Sequence, residues 1–258
     1  MTRLSDFAYA QARLQARHGM RPDAHTWRRL AGIRDLLHFL QTARTTRLRP
    51  WVLHFSAQTG VHAMELSLRQ QFRHYIAQVA SWQPEPWRNT VAWARHLVDL
   101  PALQHLLLGE APPRWLFEDP VLAPFAVEGL SARSEALENS ACAPLVHAWK
   151  EGHPLLDGWL QFWQTLWPTT SSALTEPLER LVAQVQDHLR TLGGQPVSVG
   201  SHRAREALAR ELARDFRRYT HQPAAAFVHL AFVALDLEQL RAALVDRMLF
   251  PMQAGGSP

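Results

Sequence analysis

The sequence predicts an all-α fold built from repeated helical units. Three observations carry that expectation. First, residues 91–109 (VAWARHLVDLPALQHLLLG) align without a gap on residues 228–246 (VHLAFVALDLEQLRAALVD). Val91/Val228, Ala94/Ala231, Asp99/Asp236, Leu100/Leu237, Leu103/Leu240 and Leu107/Leu244 are identical, and Trp93/Leu230, Leu97/Ala234, Val98/Leu235 and Leu106/Ala243 are apolar in both. Self-similarity of this kind marks a fold made of repeated units. Second, apolar residues recur every three or four positions. Third, the alternation expected of strands is scarce.

Taken in order, the spacing predicts helices over 4–18, 25–44, 61–80, 89–98, 101–109, 155–166, 175–192, 202–219 and 223–248. In 61–80, Val61, Met64, Leu68, Phe72, Tyr75, Ile76 and Val79 share one face, as an amphipathic helix requires. Thr59 and Gly60 supply its entry turn. Pro101 follows Asp99 by two residues and predicts a break there, because proline is tolerated only in a first helical turn. Pro84 and Pro86, residues 168–172 and the glycine-rich 193–201 are further breaks. Residues 110–145 hold five prolines and the polar run SARSEALENSA. The expected organisation is a first helical unit (1–109), a Pro-rich connection (110–145), a second helical unit (146–250) and a flexible tail (251–258). Asp99 and Asp236 then fall at equivalent corners of the two units, where each would hold a helix turn.

At 258 residues the chain can bury a substantial core. Twenty-seven basic and 23 acidic side chains leave a net charge of only +4. In RAREALARELARDFRR (203–218) the two signs are interleaved, as on a solvated face laced with i,i+4 pairs rather than a nucleic-acid-binding stripe. Nucleic acid is therefore not an expected partner. The single cysteine, Cys142, excludes an internal disulfide and fits a reducing compartment. The first residues lack the long apolar core of a secretory signal. No stretch supplies the ~20 apolar residues of a bilayer crossing. Cytoplasmic placement is the expectation, with any membrane contact peripheral.

Catalytic patterns are missing from the sequence. There is no phosphate-cradling Gly-x-x-x-x-Gly-Lys loop, no His-Glu-x-x-His, no paired cysteines and no Gly-x-Ser-x-Gly elbow. His54 and His62, or His147 and His153, form pairs without a third convergent ligand. Cys142 has no histidine at recognisable catalytic spacing. No catalytic, cofactor, metal or small-molecule site is expected. Trp159, Trp163 and Trp167 recur every four residues. Such a stripe serves either as core packing or as a partner-binding ridge, where aromatic anchors dominate; it is the candidate interface.

The run Tyr9-Ala10-Gln11-Ala12-Arg13-Leu14-Gln15-Ala16-Arg17 resembles the opening helix of the C (or d) subunit of V/A-type ATPases. The resemblance continues through Glu65-Leu66-x-Leu68, Tyr75-Ile76 and Asp99, and Asp236-Leu237-Glu238-Gln239-Leu240-Arg241 is similar to the family's closing helix. Tyr9, Arg13, Arg17, Glu65 and Arg241 are the family-motif positions. Val233 and Ala234 stand where the family carries a Lys-Glu pair, and Ala102 and Gln239 replace asparagines. The resemblance implies a funnel- or wedge-like scaffold shortened by one unit. It also implies a non-catalytic socket that couples the central stalk to the membrane rotor ring in proton or sodium transport, with ring and stalk subunits as partners. A stand-alone helical adaptor and an Arg-rich nucleic-acid-binding module are the alternatives.

Overall fold

The computed structural model describes residues 4–169, 172–193 and 200–250. Those residues are predominantly helical, with no strand among them. In chain order the α-helices are α1 (Ala8–Gly19), α2 (Ala24–Ala31), α3 (Leu36–Arg44), α4 (Arg49–Val52), α5 (Val61–Trp82), α6 (Arg88–Ala92), α7 (Leu100–Leu107), α8 (Leu130–Glu138), α9 (Ala143–Lys150), α10 (Leu155–Thr165), α11 (Ser172–Gly193), α12 (Gly200–Arg218) and α13 (Ala224–Leu249). Short 3-10 turns occupy Leu4–Phe7, Glu85–Trp87, Trp93–Asp99, Arg114–Glu118 and Ala123–Phe125. Among the described residues no helix is long and apolar enough to cross a membrane.

Local chemistry explains most boundaries. The predicted helix over 25–44 divides at Gly32 because Asp35 starts a new one. Asp23 caps α2 by accepting from Thr26 N, and Asp35 caps α3 by accepting from His38 N, each at 2.7 Å. α5 starts directly after Gly60, as expected. Helices α4, α8 and α9 were not among the predicted segments. Two of them begin with proline near the first turn, Pro50 in α4 and Pro144 in α9, where the missing N–H costs nothing. The predicted break within 193–201 lies mostly outside the described residues, as does the tail 251–258.

The two copies of the internal repeat adopt different backbones. In the first, Trp93–Asp99 is a 3-10 turn and α7 starts at Leu100 with Pro101 in its first turn. In the second, the equivalent stretch lies within the 26-residue α13. Pro101 aligns with Glu238. Proline cannot donate its N–H and its ring clashes with the preceding turn, so only the first copy breaks. Asp236 therefore sits inside a helix and marks no corner. Asp99 lies at a genuine junction, yet its side chain makes no cap hydrogen bond there.

The chain divides into two compact units that do not follow the predicted division. Unit 1 comprises residues 1–61, 82–86 and 169–258; unit 2 comprises 62–81 and 87–168. In unit 1, α13 is the central helix and packs on α1, α3, α11 and α12. Seven consecutive residues, Ala224 to Leu230, are buried on it. Burial on all sides is what makes an apolar helix central.

In unit 2, α9 and α10 form the closest pair, with α7, α8 and the Trp93–Asp99 turn around them. Gly158 permits that approach: a Cβ there would lie 2.5 Å from Ala148 Cβ. The 110–145 segment is no linker. It contributes Leu116, Leu122, Phe125, Leu137 and Cys142 to the core of unit 2. Its prolines start short 3-10 turns whose apolar side chains point inward, a pattern that periodicity at 3.6 does not register.

Candidate functional site

Unit 2 holds a cluster of four charged side chains, of which Arg73, Asp99 and Asp119 are buried and Arg69 is half-buried. Arg69 and Arg73 lie one turn apart on α5 and so share a face. Arg73 bonds Asp119 through both terminal nitrogens at 2.9 Å, and Nη2 also bonds Asp99 Oδ1. Arg69 reaches Asp119 Oδ2 at 3.3 Å and lies 4.3 Å over the Trp115 ring. Asp119 Oδ1 also accepts from Val121 N at 3.1 Å, which fixes the turn that delivers it. Two guanidinium groups thus face two carboxylates, and the cluster is close to neutral. Burial raises the Asp99 carboxyl above its usual range, against the pull of Arg73. Such a group ties α5 to the two aspartates, although Arg69 Nε and Nη2 and Arg73 Nε make no hydrogen bond.

The thiol of Cys142 lies near this cluster, 3.8 Å from His96 Nδ1. That proximity was invisible in the sequence, since the pair is 46 residues apart. It does not make a nucleophile. Burial pushes the thiol up, and burial with Arg95 and Arg73 pushes His96 down to about 4. A thiol is activated when its partner is cationic; here both groups are neutral at neutral pH.

Unit 1 has a counterpart. Arg21, just beyond α1, grips Asp236 on α13 with a two-pronged contact, Nε to Oδ2 at 2.7 Å and Nη2 to Oδ1 at 2.9 Å. Its guanidinium also stacks 4.0 Å over Phe232. His18 stacks on Phe216 at 4.2 Å and meets Phe232 edge-on at 5.0 Å. Burial lowers His18 to about 4 and His229 to about 3, with Arg21 adding to both. In the last turn of α13, Arg247 donates to the carbonyls of Leu30 and Ile33, closing the C-terminal end of α2.

The remaining predicted positions are dispersed. Tyr9, Arg13, Arg17 and Arg241 are exposed and Glu65 is half-buried; Arg13 Nε donates to Tyr9 Oη at 3.2 Å. His54, His62, His147 and His153 are all exposed. Among the described residues no group of three or more His, Cys, Asp or Glu side chains could hold a metal.

The tryptophan stripe is core for two of its three members. Trp159 and Trp163 are 4% and 2% exposed, so they form no interface ridge. Trp163 Nε1 donates to Thr90 O at 3.1 Å, and Trp93 and Trp159 exchange indole-to-carbonyl bonds at 3.2 and 3.3 Å. An indole N–H satisfied inside the core is the reason a buried tryptophan costs no unpaired donor. Trp167 is half-buried and meets Trp163 edge-on.

What the sequence reading overlooked is a charge imbalance. The interleaving of 203–218 does not extend to the N-terminus: residues 1–61 carry ten arginines against three aspartates. A signed charge count by segment would have found it. Two open depressions mark the surface of unit 1. One, about 450 Å³, lies between α2 and α3; the other, about 240 Å³, is bounded by Trp27, Phe39, Gln239 and Asp246. Comparison with known proteins gives no match to a family model, a curated protein or a solved structure.

Proposed function

We propose that this protein is a non-catalytic helical scaffold that acts by binding other proteins. Its specific role in this reading is a C/d-subunit-like socket coupling the central stalk to the rotor ring of a V/A-type ATPase. The observation that carries the scaffold reading is how the buried charge is used. Arg73 joins α5 to Asp99 and Asp119, Arg21 joins the end of α1 to α13, and Arg247 joins α13 to the end of α2. Each link holds helices distant in sequence in one register, and close-packed interiors transmit strain. A body that carries force needs that property; an enzyme would instead aim such groups into a cleft.

The ATPase role rests on the resemblance of the first and last helices, and it brings with it a funnel- or wedge-like arrangement of the repeats. Co-purification after mild solubilisation tests it: recovery of rotor-ring and stalk subunits supports the role, and their consistent absence removes it. The stand-alone adaptor reading has one observation in its favour. The family's charged pair falls on Val233 and Ala234, and Val233 is packed in the core of unit 1. Genes for ATPase subunits beside this one would argue for the socket; their absence would favour the adaptor.

A further inference from the structure

Unit 2 carries seven basic and ten acidic residues, so the excess positive charge of the protein belongs to unit 1. Within unit 1 it gathers in residues 1–61. Two of the three aspartates there, Asp23 and Asp35, are engaged as helix caps. Arg17, Arg28, Arg29, Arg34, Arg47 and Arg49 are exposed.

Hydrogen bonds tie two of these arginines, Arg47 and Arg29, to neighbouring elements of the stretch. Arg47 Nη1 donates to the carbonyls of Gly19 and Arg21 at the end of α1. Arg29 on α2 reaches Thr45 Oγ1 at 3.4 Å, two residues from Arg47. The groove beside them is lined by Arg29, Ile33, His38, Gln41, Thr42 and Thr45, with no acidic side chain. Three large apolar side chains of the same stretch are exposed as well: Met20 by 57%, Leu37 by 49% and Leu53 by 45%. Met20 lies between the two residues whose carbonyls Arg47 bonds.

Guanidinium groups pair with phosphate oxygens in two-pronged fashion, whether the phosphate belongs to a lipid or a nucleic acid. The apolar side chains decide between them. They gain by entering the boundary between headgroups and acyl chains, and gain little from a phosphodiester backbone. We propose that the α1–α4 surface docks unit 1 on an anionic bilayer. The arginines bind headgroup phosphates, and Met20, Leu37 and Leu53 dip below them. This does not rest on the coupling reading, because binding is measured on the protein alone.

The test is co-sedimentation of the full-length chain with phosphatidylcholine vesicles, with and without phosphatidylglycerol, beside a duplex DNA titration. Anionic vesicles should be bound at low salt and released as salt rises. Replacing Arg28→Gln, Arg29→Gln and Arg49→Gln together should weaken binding about a hundredfold, at about fivefold per arginine near the surface. Leu37→Ser with Leu53→Ser should weaken vesicle binding several-fold and leave DNA titration unchanged. Arg114→Gln, on unit 2, should alter neither. Circular dichroism at each exposed-site variant checks that it is folded. Absence of anionic-vesicle binding at low salt overturns the proposal. So does equal weakening by Arg114→Gln, or tighter binding to duplex DNA that ignores Leu37 and Leu53; the last outcome would make this a nucleic-acid surface.

Discussion

Asp99 and Asp236 occupy the same place in the two repeated segments, and both are buried against arginine, yet their surroundings differ. Asp99 shares Arg73 with a second carboxylate, Asp119, at a junction between a 3-10 turn and a helix. Asp236 has Arg21 to itself, midway along an unbroken helix. Arg73 lies 26 residues from Asp99, whereas Arg21 lies 215 from Asp236. The repeated sequence therefore supplies an anion facing inward, and the surrounding fold supplies the cation. A single arginine serving two carboxylates is the more vulnerable arrangement, since its loss takes the cation from Asp99 and leaves Asp119 with only Arg69 and Val121 N.

The largest effect expected follows from that asymmetry. Arg73→Met should lower the stability of the protein by about 3–5 kcal/mol, because two buried carboxylates lose their main partner. Arg21→Met should cost less, about 2 kcal/mol, since Arg21 and Asp236 keep side-chain exposures of 20% and 12% and water can reach what remains. Urea denaturation at neutral pH measures both. Equal losses would mean that Arg69 compensates at Asp119 and that the two sites are energetically alike.

A smaller effect probes packing in unit 2. Gly158→Ala forces its new methyl against Ala148, at a cost of about 1–3 kcal/mol. Combining it with Ala148→Gly should recover much of that loss. Without recovery in the double variant, the close contact between α9 and α10 would not be the source of the cost.

Acid should act unevenly on the two units. His18 and His229 in unit 1, at about 4 and about 3, and His96 in unit 2, at about 4, are all held below the ordinary imidazole value. A histidine with a lowered folded-state pKa binds its proton more readily when unfolded. Its contribution is complete above about pH 6.5 and is lost as pH falls toward the folded value. Each such histidine gives a slope of up to about 1.4 kcal/mol per pH unit in that window. Burial raises Asp99 and Asp236, which opposes the trend at the acidic end. His229→Phe should therefore flatten the decline between pH 6 and pH 5, read from denaturation midpoints. An unchanged slope would mean that His229 is not neutral in the folded protein.

The helical character was legible because apolar spacing is a local property, and the α5 face and the break at Pro101 follow from it directly. The role of 110–145 was not, since its inward-facing Leu116 and Phe125 sit on short 3-10 turns and Leu122 on the turn between them, a pattern that resembles a linker. Spacing alone admitted both core and interface for Trp159 and Trp163, with core the favoured reading, and Thr90 and Trp93 as their partners place both in the core. The buried cluster escaped notice because the arginine pair on α5, Asp99 and Asp119 belong to three separate segments.

The sequence by itself determined the helical character, several helix ends and the break at Pro101, because propensity, proline and periodicity act over a few residues. Only the tertiary structure decided which arginine meets each aspartate and that the first and last parts of the chain share one unit. It also decided that Arg47 closes on the end of α1 and that Arg29 reaches Thr45. Those outcomes depend on contacts between residues as far apart as Arg21 and Asp236, which chain connectivity does not specify and packing does.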